Sequence, residues 1–188
     1  MTLFEIIQQY FVYGYSHVIP LGVDHILFIL SIFLLNSNIK SVIIQCSVFT
    51  LAHTITLGLA AGGYIIPDSK YVEPLIAISI LFTSIENIIR DKISNWRLLI
   101  IFIFGLIHGM GFANALKEIG FAENHFLLSL LFFNIGVEAG QLSIILAAWF
   151  LMAKWFSKRS WYKQRIVYPL SAIIACIALN WTIERIFL

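Results

Sequence analysis

The sequence predicts an all-α, polytopic membrane bundle of about six transmembrane helices, preceded by an interfacial helix. Three observations predict it. Sixty per cent of the 188 residues are hydrophobic, the mean hydropathy is +0.91, and only 12% of residues are charged. A water-soluble domain of this length cannot hide so much apolar surface, so lipid must cover part of it. The apolar residues fall in runs of about 20, the length that crosses a hydrocarbon core about 30 Å thick, and the charges gather in the breaks between runs. No composition shift or low-complexity segment divides the chain, so residues 1–188 read as one transmembrane domain.

The elements follow in order. "MTLFEIIQQYFVYGYSHV" is too polar to span and lacks the basic start of a signal peptide. With Leu3, Phe4, Ile6, Ile7, Tyr10 and Phe11 it reads as a helix over about residues 1–16 lying on the membrane. Spans are expected at about 18–36, 42–64, 72–90, 97–116, 126–153 and 166–187. The breaks "NSNIK", "GGYIIPDSKY", "RDKISNW", "KEIGFAENH" and "KWFSKRSWYKQR" carry the turn formers and the charge. Cys46 and Cys176 both fall inside apolar runs and read as small hydrophobes rather than a disulfide. Trp149, Trp155, Trp161 and Tyr162 read as interface anchors.

Charge sets the expected orientation. Lys40, Arg90, Lys92, Arg97, Lys154, Lys158, Arg159, Lys163 and Arg165 lie on one side, and Lys70, Lys117 and Arg185 on the other. Nine cations against three put both termini outside the cytoplasm, in a multi-pass protein of the cell (inner) membrane. There is no basic tail, so nucleic acid is not an expected partner; lipid is, and a homo-oligomer is left open. A short internal echo pairs "GVDH" (22–25) with "GLIH" (105–108) and "SIENII" (84–89) with "TIERIF" (182–187). Three-span halves of opposite orientation would have that pattern.

Polar residues inside the runs point to function. Ionisable groups in hydrocarbon cost a few kcal/mol each and are functional by default. The first span carries Asp24 and His25, with His17 near its outer mouth, seven residues before Asp24. The second carries Thr50, His53 and Thr54; the third, Ser79, Thr83 and Glu86; the fourth, His108 within "GLIHGMG". The fifth holds Asn134, Glu138 and Gln141 on one stripe. Three imidazoles (His25, His53, His108) and the carboxylates Asp24 and Glu138 form the expected metal site, a mixed N/O set suited to Ni²⁺, Co²⁺ or Zn²⁺. His17, Glu86, Asn134, Gln141, Thr50 and Thr54 are assigned to the pathway or to the surroundings of the ligands. Each residue also has a plainer reading. A single intramembrane His is commonly a structural hydrogen-bonding group, Glu86 has Arg90 one turn away, and Ser, Thr, Asn and Gln join helices. His125 falls in a break and reads as a surface residue.

The stretches "GYSHVIPLGVDHILFIL", "FTLAHTITLGLA", "VEPLIAISILFTSIEN", "FGLIHGMGFANAL" and "FNIGVEAGQL" together resemble the HupE/UreJ membrane proteins, in the second of their two branches. The resemblance runs over about residues 14–145. It implies a nickel or cobalt permease or an accessory of hydrogenase and urease maturation. The family's "DH" pair matches Asp24 and His25, its span-two His matches His53, its "HG" matches His108 and Gly109, and its "VExGQ" matches Glu138 and Gln141. One departure concerns the wider nickel/cobalt transporter pattern, in which four residues separate a His from Asp-His; here six separate His17 from Asp24.

The leading expectation is therefore a divalent-metal permease. One alternative is a zinc-dependent intramembrane hydrolase acting on a lipid or an amide, with Glu138 or Asp24 as general base. The other is a non-transporting accessory membrane subunit whose polar groups join helices.

Overall fold

A computed structural model describes residues 2–36, 38–90, 93–112 and 125–187. The described residues contain helices and no strand. Helix α1 (Leu3–Val18) starts at a capping box in which the Thr2 hydroxyl accepts from the Glu5 N–H and the Glu5 carboxylate accepts from the Thr2 N–H. The chain breaks over residues 19–22, where Pro20 and Gly22 stand. Helix α2 (Val23–Leu35) leaves at 68° to α1. Next come α3 (Ile39–Ala61), capped by Asn38, and α4 (Ser69–Ile89), capped by Asp68. Helix α5 (Arg97–Gly111) carries the fourth apolar run; the expected extension of that span to residue 116 lies outside the described residues, as does most of the "KEIGFAENH" break. Helix α6 (Phe126–Phe156) contains a π turn over Trp149–Ala153, and α7 (Lys163–Phe187) opens with another over Lys163–Val167.

Four of these helices, α3, α4, α6 and α7, are long and apolar enough to cross a membrane, and the bent pair α1–α2 makes five if it is one span. At 15 residues, α5 is shorter than a span. Exposed apolar rows such as Ile78, Phe82, Ile85 and Ile89 on α4 recur at helical spacing and form the faces that lipid covers.

Three tight pairs organise the bundle: α1 on α6, α3 on α5, and α4 on α7, with α2 between α4 and α6. Glycine makes the first two pairs close. A Cβ on Gly14 would sit 1.8 Å from the Phe133 carbonyl oxygen, and one on Gly136 would sit 2.2 Å from that of Phe11. A Cβ on Gly109 would sit 2.3 Å from the His53 carbonyl oxygen. Backbone therefore meets backbone at these crossings, as small residues permit in membrane bundles. Helix α1, expected on the membrane surface, has Ile6, Tyr10, Gly14 and Val18 buried and is packed along α6. The third pair and α2 are tied by polar groups: Ser31 to Thr83 at 2.8 Å, and the Asn87 amide to the Ser31 carbonyl and the Ser171 hydroxyl. Both cysteines are free, Cys46 buried and Cys176 exposed. Trp155 is exposed, whereas Tyr162 is buried.

Candidate metal centre

Four helices bring an imidazole to one place. His17 comes from the last turn of α1, His25 from the first turn of α2, His53 from the middle of α3 and His108 from the end of α5. The bend at residues 19–22 turns the last turn of α1 back toward the first turn of α2. Ring centroids are 4.7 Å apart for His17–His25, 5.6 Å for His25–His53 and 6.0 Å for His17–His53. One nitrogen from each of these three lies within 4.8 Å of the other two. Nitrogens sharing one tetrahedral ion sit about 3.4 Å apart when the bonds are about 2.1 Å. The three must therefore close by up to about 1.4 Å to share an ion, a side-chain movement. His108 stands beside them, its ring 5.3 Å from that of His25.

One nitrogen of each of these four rings lacks a partner. Nε2 of His17, His25 and His53 and Nδ1 of His108 are buried with no hydrogen bond. A buried unpaired polar atom costs roughly 1–3 kcal/mol, and interiors hold few of them. Two of the four have their tautomer fixed from behind. The Asn134 amide nitrogen donates to the Leu130 carbonyl, which turns Asn134 Oδ1 toward His53 Nδ1 at 3.4 Å. His53 then carries its proton on Nδ1 and keeps a lone pair on Nε2. The Ser79 hydroxyl donates to the Ile76 carbonyl at 2.7 Å, so it accepts from His108 Nε2 at 2.9 Å. His108 then keeps its lone pair on Nδ1. Lone pairs held this way are what a metal ion requires, and a fixed second nitrogen is the usual support of a ligating imidazole. Phe28, Phe49, Phe112 and Phe133 surround the rings, Phe112 lying 3.7 Å from His17 by centroid. That apolar shell lowers the dielectric on its side of the rings and strengthens any charge interaction there.

The other expected residues stand elsewhere. Asp24 shares its helical turn with His25 but turns outward to Arg185, whose Nη2 lies 3.1 and 3.2 Å from its two oxygens. No carboxylate oxygen joins the three imidazoles among the described residues. Glu138 accepts from the Ser47 hydroxyl at 2.7 Å, and its second oxygen is buried without a partner. Gln141 accepts from Thr50 at 3.1 Å, and its amide nitrogen is likewise unpaired. Thr54 bonds back to the Thr50 carbonyl. Glu86 is buried and bonded to Arg97, with Arg90 at 3.9 Å on its other oxygen. His125 stands just before α6.

Sequence reasoning placed His17 only at the mouth, because on an unbroken helix it shares a face with Asp24. The signal that relocates it is the Pro20 and Gly22 break. Arg185, 161 residues from Asp24, and Ser79 as the partner of His108 left no local signal.

A cavity of about 650 Å³ leads to the imidazoles. Asp24, Glu73 and Arg185 stand along it with the exposed Leu21, and His17, His25 and His108 also line it. Arg185 bridges Asp24 and the Glu73 carbonyl and lies 5.2 Å over the Trp181 ring. The arrangement offers a cation three or four neutral nitrogen ligands, reached from one end of the bundle past acidic groups.

No curated protein and no solved structure matches the chain. One family model does, described as HupE / UreJ protein, and it matches residues 2–185, nearly the whole length. The helical bundle with membrane-crossing helices and the buried histidine group are thus those of a chain that belongs to the HupE/UreJ family.

Proposed function

We propose that this protein is a divalent transition-metal permease, of the nickel/cobalt type, in which the moving ion is held in passage by His17, His25 and His53. The observation that carries the proposal is the convergence of buried imidazole nitrogens with free lone pairs at the floor of an open cavity. Neutral imidazole suits Ni²⁺, Co²⁺ and Zn²⁺, and sparse sulfur disfavours Cu⁺. His108, on α5 beside α3, completes the ligand set or receives the ion next.

Transport also requires release, so ligands must exchange rather than enclose. Below the imidazoles, α3 and α6 face each other through His53 and Asn134, Thr50 and Gln141, and Ser47 and Glu138. The unpaired Glu138 oxygen offers the cation a next partner along this seam. In this proposal metal ions are the substrate, and the charge count puts both termini outside the cytoplasm of an inner membrane. The hydrolase alternative has less support: a general base must stand beside the metal water, whereas among the described residues no carboxylate oxygen groups with the three imidazoles and Asp24 is held by Arg185.

Flux of Ni²⁺, Co²⁺ and Zn²⁺ into vesicles reconstituted with the purified protein tests the proposal. Wild type is expected to carry at least one of these ions, and His53→Ala with His108→Ala together to abolish the flux. Equal flux in both would overturn it. Tight zinc without flux in wild type would put the hydrolase reading first.

A further inference from the structure

The opposite end of the bundle carries a second cavity, of about 460 Å³, lined by Asn38, Lys40, Gln45, Ser94, Asn95 and Arg97 among others. Gln45 lies eight residues before His53 on α3, about 12 Å along the helix axis from the imidazoles. Three features give this cavity the character of an anion site. First, Arg97 is 1% exposed and only partly paired: Nε donates to Gln45 Oε1 at 2.6 Å and Nη1 to Glu86, while Nη2 is buried with no partner. Second, the charge around it is positive. Among the described residues, one carboxylate, Glu86, stands between Arg97 and Arg90, and Lys40 lines the cavity. Third, two helix N-termini meet there. The contacts Gln45–Arg97, Phe49–Gly105 and His53–Gly109 run in the same order along both helices, so α3 and α5 start at the same end. No side chain caps α5, and the partial positive charge of a helix start is a ready place for a phosphate oxygen.

We propose that this cavity binds a phosphate monoanion or diester, supplied by the headgroup of an anionic phospholipid. The source is argued from what flanks the polar lining. Ile44 and Leu98, 46% and 44% exposed, line the same cavity on the outer faces of α3 and α5, where an acyl chain would lie. Trp96, 70% exposed, precedes α5 at the level where indoles favour the headgroup zone. By the charge count this end faces the cytoplasm, whose leaflet attracts basic groups through its anionic lipids. The inference does not depend on what the imidazoles carry.

The test uses the full chain purified in detergent. Native mass spectrometry would compare retention of phosphatidylglycerol and phosphatidylcholine of matched chains, in wild type and in Lys40→Glu and Asn95→Asp, two substitutions at exposed positions. Thermal unfolding with and without millimolar sodium phosphate forms the second arm. Retention of phosphatidylglycerol is expected to exceed that of phosphatidylcholine on the order of 10-fold, and to lose that margin in Lys40→Glu, since each unit of charge near an anionic surface is worth roughly 5-fold and the reversal changes two units. Phosphate alone is expected to leave the melting temperature unchanged. A rise with phosphate, absent in Lys40→Glu and without lipid preference, would overturn the lipid source and assign the site to a free anion. Equal retention of both lipids with no phosphate effect, or a preference unchanged in both variants, would overturn the site.

Discussion

Replacing His17 with Phe separates the cost of the proposed metal site from its use. His17 lies against Phe112 and near Phe133, at 3.7 and 5.7 Å between centroids, so a phenyl ring keeps the stacking that Ala would lose. It also removes Nε2, which is buried without a partner. An orphan of that kind costs roughly 1–3 kcal/mol, so its removal should stabilise the metal-free protein. For a chain of this length about 1 kcal/mol is about 2–4 °C in melting temperature. Metal-free His17→Phe should therefore melt above wild type, by about 2–12 °C. Metal affinity should move the other way. Losing a support behind a ligand costs about 10–100-fold, and losing a ligand costs more, so affinity should fall by over about 100-fold, about 2.8 kcal/mol. Competition against a chromophoric chelator, read in detergent for Ni²⁺, Co²⁺ and Zn²⁺, gives the affinity; thermal scans of chelator-treated protein give the stability. A variant that melts several degrees lower while binding metal like wild type would refute the reasoning, since His17 would then be a packing residue with a partner of its own.

Three further expectations follow from the same geometry. Imidazole binds metal only when neutral, so protons compete with the ion: affinity should be full above about pH 6.5, the unperturbed His value, and fall as pH drops through the titration of the group, read by the same chelator competition. Gly109→Ala places a methyl 2.3 Å from the His53 carbonyl oxygen and from Thr56 Oγ1, so α3 and α5 must part; melting temperature and metal affinity should both drop, whereas Gly63→Ala, at an open turn with φ +78°, should lower stability by about 1 kcal/mol and leave affinity intact. Cysteines placed at Ser157 and Tyr64 in a Cys176→Ser background should label from opposite sides, with Tyr64 reached from outside intact cells; labelling of Ser157 from outside would reverse the orientation.

The helical class was legible because apolar fraction and run length are properties of sequence alone, and lipid makes them decisive. The polar positions were legible for the same reason, since each stands out against hydrocarbon. Their partners were not. Asp24 and His25 are neighbours in sequence, yet consecutive residues of a helix point about 100° apart, and only the bundle shows one facing Arg185 and the other facing imidazoles. Arg97 was counted among loop cations, but it is buried on Glu86. Arg185, counted on the opposite side, is likewise paired, with Asp24. Removing both leaves eight cations against two, so the orientation expectation keeps its sign. The π turn at Trp149–Ala153 carries no Gly or Pro signal that periodicity could read.

The glycine crossings divide the histidines between separate bodies. Gly14, Gly136 and Gly140 weld α1 to α6, and Gly105 and Gly109 weld α3 to α5. His17 belongs to the first body, His53 and His108 to the second, and His25 to α2 between them. Backbones already in contact leave no slack within either body, while the bodies meet through side-chain hydrogen bonds such as His53–Asn134 at 3.4 Å. A small rotation of one against the other would disturb that seam, its hydrogen bonds and the Phe112–Phe133 stacking, and would part His17 from His53. On the proposed function, the grip on an ion would then be a property of the seam: it would complete the nitrogen set when shut and dismantle it when ajar, with neither weld disturbed.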